Sequence, residues 1–87
     1  MLFLIASAPD TKEFQTAVRT AQEMKADVCL LQNAVYAART PGSSTFFVMA
    51  DDLRMRGITE QEVPGTIIGY DRLVDLMAGS DKVVGLF

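Results

Sequence analysis

Histidine is absent from this chain and cysteine occurs once, as Cys29. Without an imidazole there is no histidine ligand for zinc, no partner for a serine nucleophile and no side chain that titrates near neutral pH. A lone cysteine closes no internal disulfide and builds no multi-cysteine metal site. Basic residues are sparse too: eight stand against eleven acidic ones, for a net charge of −3. They are scattered, with Arg54 and Arg56 the only close pair. Phosphate neutralisation needs clustered Lys and Arg, so direct nucleic-acid binding is not expected. The pair reads as the solvated end of a helix, where cations suit the negative C-terminal pole.

Long apolar runs are missing as well. The opening stretch, Met1 to Pro9, has an apolar run of only about five residues and no basic leader, short of the ~7–15 residues of a secretory core. No stretch is long enough to span a bilayer. The expected compartment is the cytoplasm, with no membrane partner. Glycine is absent from the first strand-to-helix turn, Ser7-Ala8-Pro9-Asp10-Thr11, so neither the dinucleotide fingerprint nor the P-loop is present and no cofactor is expected. The adjacent carboxylates Asp51 and Asp52 suggest a magnesium site of the receiver-domain kind. That site needs further carboxylates after the first strand and a lysine after the last, where this chain has Ser7 and Phe87. The two aspartates read as charges at a helix N-terminus, and no metal is expected.

What remains supports one domain over residues 1–87, with 49% hydrophobic residues to fill its core. Leu2 to Ala6 is a continuous apolar run, the pattern of a strand buried on both faces. Asp10 and Glu13 have capping-box spacing, and Phe14, Ala17, Val18, Ala21 and Met24 recur at helical period, predicting a helix over Lys12 to Met24. Val28 to Leu31 is a second buried strand. Asn33 is placed to cap a short helix through Ala34 to Arg39, and Pro41-Gly42-Ser43-Ser44 is a loop by composition. Thr45 to Met49 is a third strand. Asp51 and Asp52 open a helix that stops at Gly57. Thr59 and Glu62 form a second capping box over barely one turn. Thr66 to Ile68, Asp71 to Ala78 and Lys82 to Phe87 give a strand, a helix and a last strand. This alternation predicts a small three-layer α/β/α domain with a mostly parallel sheet of about five strands.

In an open parallel sheet, function gathers beyond the carboxyl ends of the strands. Here those ends carry Ser7, Gln32 and Asn33, Ala50 and Asp51, and Gly69 and Tyr70. Cys29 is the one candidate nucleophile. A sulfur carrier needs an exposed, electrostatically stabilised thiolate, whereas Cys29 lies inside Val28-Cys29-Leu30-Leu31, where cysteine packs as a small hydrophobe. Core packing is the favoured reading and a persulfide carrier the alternative. Tyr36 reads equally as an interface residue or as a core aromatic with its hydroxyl at the rim. The five methionines read as core filler.

Four stretches taken in order resemble the TusB/DsrH family of sulfur-relay subunits: Met1 to Pro9, a strand ending in a Ser-Pro element; Leu30 to Ala38, its strand-to-helix signature; Phe47 to Leu53 followed by Arg56-Gly57; and Ile68 to Asp71 through Val74 to Leu76. The resemblance covers essentially the whole chain. It implies a five-stranded, mostly parallel sheet between helices. It also implies an accessory, non-catalytic role beside related small DsrE/TusD-like and DsrF/TusC-like subunits, in a complex that passes persulfide sulfur toward tRNA wobble 2-thiouridine or in sulfur oxidation. The sulfur-carrying cysteine that matters most then belongs to a sister subunit. Two departures stand out. No cysteine lies between Thr16 and Thr20, where some members carry one, which argues against this subunit handling sulfur itself. Asn33-Ala34 replaces the commoner Asp-Gly, which leaves open a different partner or a stand-alone homo-oligomer. Gln32, Asn33 and Tyr36, with Asp51 and Asp52, are the expected contact residues.

Overall fold

The structure is a computed structural model that describes residues 1–86. Five strands, β1 (Leu2–Ile5), β2 (Asp27–Leu30), β3 (Phe47–Met49), β4 (Thr66–Ile68) and β5 (Val83–Leu86), form one sheet in the order β4-β3-β2-β1-β5. Every pairing is parallel, with Phe3 opposite Val28 and Val84, and Val48 opposite Leu30 and Ile67. The α-helices are α1 (Lys12–Glu23), α2 (Ala50–Met55) and α3 (Tyr70–Gly79). The segment Gln32–Arg39 is a 3₁₀ helix, and Pro41–Ser43 and Glu60–Glu62 are single 3₁₀ turns.

The strand order explains the layers. From β1 to β4 the chain steps across the sheet in one direction, so right-handed crossovers lay α1, the 3₁₀ helix and α2 on one face. The return from β4 to β5 runs the other way and puts α3 on the opposite face. The two cores match. Phe3, Ile5, Val28, Leu30 and Val48 pack with Ala17, Ala21, Ala34, Val35, Ala38 and Leu53 on the first face. Leu2, Leu4, Cys29, Met49 and Ile68 pack with Leu73 and Leu76 on the second. Cover there is thin: no residue of α3 is buried, and its Tyr70, Val74 and Met77 are exposed.

Local signals are read differently in several places. The cap of α1 is Thr11 rather than Asp10. Its hydroxyl accepts from the Phe14 amide at 3.2 Å while donating to the Ala8 carbonyl at 2.7 Å. Thr11 has the extended backbone that a cap requires, and Asp10 stands one residue too early. The end of α1 is a Schellman motif: the Ala26 amide bonds the Ala21 carbonyl, the Lys25 amide bonds that of Gln22, and Lys25 takes φ +54°. Gly57, at φ +70°, closes α2 in the same way, as its position after the helix predicts. The capping box at Thr59 and Glu62 forms, the Glu62 carboxylate accepting from the Thr59 amide and hydroxyl, each at 2.9 Å. The Pro41–Ser43 stretch, a loop by composition, holds the fully buried Ser43, whose hydroxyl lies 2.7 Å from the carbonyls of both Ala38 and Thr40. The last strand is Val83–Leu86, and Phe87 lies outside the described residues.

Candidate functional site

The carboxyl ends of β2 and β3 are neighbours, so the parallel register brings Gln32 and Asn33 beside Asp51 and Asp52. The chain leaves β2 through Leu31 in extended conformation and turns at Gln32, which adopts φ +50°. A residue with a Cβ rarely sits there, and such conformers concentrate at contact and functional positions. Asn33 is not the cap of the following helix. That helix already begins at Gln32 and has no side-chain cap, and the Asn33 side chain is engaged elsewhere. The helix presses Ala34, Val35, Ala37 and Ala38 inward and leaves Tyr36 44% exposed. Gln32, Asn33 and Tyr36 therefore share one exposed edge.

Asp51 and Asp52 stand in the first turn of α2, where carboxylates complement the helix pole. They have different partners. Asp51 faces Arg54 at 3.4 Å in an exposed pair. Asp52, its side chain 17% exposed, faces Arg56 at 3.5 Å. Sequence reasoning missed Arg56 by treating it as a solvated helix end. Its side chain is only 18% exposed, and its Nε and Nη2 donate to Asn33 Oδ1 at 3.4 and 3.1 Å. The Asp52–Arg56 half of this arrangement is legible as an i,i+4 pair. The Asn33 half spans 23 residues and depends on β2 and β3 being adjacent.

Cys29 is fully buried on the second face of the sheet, among Leu2, Leu4, Met49 and Ile68. Burial first, and then the negative charge of Asp52, push its thiol up to about 12. Both causes disfavour thiolate, the opposite of what activates a cysteine. A concavity lies elsewhere. A groove of about 690 Å³ runs between α1, β1 and β5, floored by Phe3, Ala17, Val84 and Leu86 and edged by Ser7, Lys12 and Glu13. Of the polar residues at the strand ends, Ser7 lines it. Gln32, Asn33, Tyr36, Asp51 and Asp52 do not. Among the described residues no helix is long and apolar enough to cross a membrane.

The family model of DsrH-like proteins matches residues 6–83. The chain belongs to the DsrH-like family. DsrH-like proteins are subunits of sulfur-relay systems and work in complexes with other relay subunits. The solution NMR structure of protein Tm0979 from Thermotoga maritima is similar over 94% of this chain and 97% of that one, at 25% identity and a TM-score of 0.74. No curated protein matches. The small all-parallel α/β domain is thus shared with a solved structure, and the family match spans the strand ends, Cys29 and Arg56 alike.

Proposed function

We propose that this chain is a non-catalytic, accessory subunit of a cytoplasmic persulfide sulfur-relay complex. Its partners are related small DsrE/TusD-like and DsrF/TusC-like subunits, and the complex serves tRNA wobble 2-thiolation or sulfur oxidation. The observation that carries the reading is the state of Cys29: a DsrH-like chain whose sole cysteine is fully buried, with its thiol pushed up to about 12, is not built to pick up and release sulfur. The transferred sulfur then travels on cysteines of the partner subunits, and this chain supplies contact surface.

The contact edge is Gln32, Asn33 and Tyr36, with Asp51 and Asp52 beside it. Tyr36 is the anchor, because a half-exposed aromatic offers apolar area and a hydroxyl at little conformational cost. Assembly is further supported by α3, whose Tyr70, Val74 and Met77 leave apolar surface uncovered in the single chain. The test is native mass spectrometry of the tagged chain purified from its own cells at native expression. Two small α/β subunits are expected with it, one carrying an extra sulfur on cysteine. Tyr36→Ala is expected to lower their recovery by about tenfold or more. A lone homo-oligomer with unmodified Cys29 would overturn the proposal.

A further inference from the structure

Arg56 caps the C-terminal end of α2, and its guanidinium reaches across to the turn that follows β2. Nε and Nη2 converge on Asn33 Oδ1 at 3.4 and 3.1 Å. Nη1 meets the Asp52 carboxylate at 3.5 Å and the Asp52 carbonyl at 3.3 Å. One planar fork thus ties two chain segments that are far apart in sequence, a task its rigid donor geometry suits and a lysine ammonium does not. The tie lands beside Gln32, where φ is +50° and the 3₁₀ helix starts without a side-chain cap. Buried Ala34, Val35, Ala37 and Ala38 fix how deeply this helix sits. At its entry the backbone is closed by the Ala34 amide on the Leu31 carbonyl at 3.1 Å and tied to β1 by the Leu31 amide on the Ile5 carbonyl at 3.0 Å. The side-chain tie there is the Arg56–Asn33 contact.

We infer that Arg56 is the positioning residue of the contact edge: its fork, seated on Asp52 and Asn33, holds the left-handed turn at Gln32 and so sets how Gln32, Asn33 and Tyr36 are presented. The inference rests on the proposed contact role only for its consequence, not for its geometry. Asp52 then acts through Arg56, orienting the guanidinium, and Asn33 is the fork's second seat.

The test is NMR of the full chain. A residue with positive φ gives a strong intraresidue HN–Hα NOE, which Gln32 is expected to show. Arg56→Met, which keeps the aliphatic stem and removes the fork, is expected to abolish that signature and shift the amides of Gln32 to Tyr36. Asn33→Asp, which offers the fork a carboxylate, is expected to preserve it. Asn33→Ala serves if Arg56→Met does not fold, with the same loss expected. A wild-type NOE and unshifted amides in Arg56→Met or Asn33→Ala would overturn the inference, as would a loss in Asn33→Asp equal to that in Asn33→Ala. The partner-recovery assay separates the two readings. If the turn changes in Arg56→Met but recovery does not fall, the contact assignment fails and the role of Arg56 stands. If the turn is unchanged, the role of Arg56 fails whatever the recovery.

Discussion

Iodoacetamide should find Cys29 nearly inert in the native protein. The side chain is 0% exposed, and its thiol is raised from 9.0 to about 12. At about pH 8 that difference lowers the thiolate fraction roughly a thousandfold. A more basic thiolate is intrinsically more nucleophilic, with a Brønsted coefficient of about 0.4–0.5, which returns part of the loss. A slowdown of at least roughly thirtyfold remains before access is counted, and burial removes the path for the reagent. Alkylation followed by mass spectrometry, native against fully denatured in urea, reads this directly. A native rate within about tenfold of the denatured one would refute the burial argument and restore Cys29 as a candidate carrier. The same shift has a stability signature. Because the folded pKa is the higher one, the contribution is complete below 9.0 and is lost as pH rises toward about 12. The Cys29→Ala variant should lack that part of the alkaline decline in urea titrations.

Three further outcomes test the local structure. Ser43→Ala should cost about 1–3 kcal/mol in urea unfolding with an unchanged m-value, since it removes a buried donor from the carbonyls of Ala38 and Thr40. Lys25→Gly should raise stability by roughly 0.5–1 kcal/mol, because glycine occupies the φ +54° position that ends α1 without the strain of a Cβ. The Glu62 carboxyl is held below its usual range of 4.5, mainly by hydrogen bonds from Thr59 and secondarily by Arg39. Its folded pKa is the lower one, so its stabilisation is present above 4.5 and is lost as pH falls through the depressed value. Glu62→Gln should flatten this part of the acid limb of a Tm-against-pH curve.

Much of the architecture was legible because strand and helix leave separate marks. Leu2 to Ala6 reads as a two-sided buried strand because β1, Leu2–Ile5, sends Phe3 and Ile5 into one core and Leu2 and Leu4 into the other. Gly57 reads as a helix stop because it takes the αL geometry that ends α2. Cap positions were less legible. Asp10 and Thr11 are both good caps, and only the backbone shows that Thr11 is the one in extended conformation before the helix. Asn33 looked like a cap for the same compositional reason. Its side chain serves Arg56, a partner defined by sheet order and not by any local pattern. The order itself was hidden, since β-α alternation is equally consistent with β5 adding beside β4 or crossing to β1. That crossing builds the α1–β5 groove, which Ser7 lines and Gln32 and Asn33 do not, although β1 and β2 are neighbours.

The most direct test of the central claim is sulfur occupancy on the partner subunits, measured by mass spectrometry in cells carrying wild-type chain, Cys29→Ala or a deletion. A subunit that supports the relay without carrying sulfur predicts loss of partner persulfide in the deletion and wild-type occupancy in Cys29→Ala. Loss in Cys29→Ala equal to the deletion would make this chain a carrier, and unchanged occupancy in the deletion would remove it from the relay.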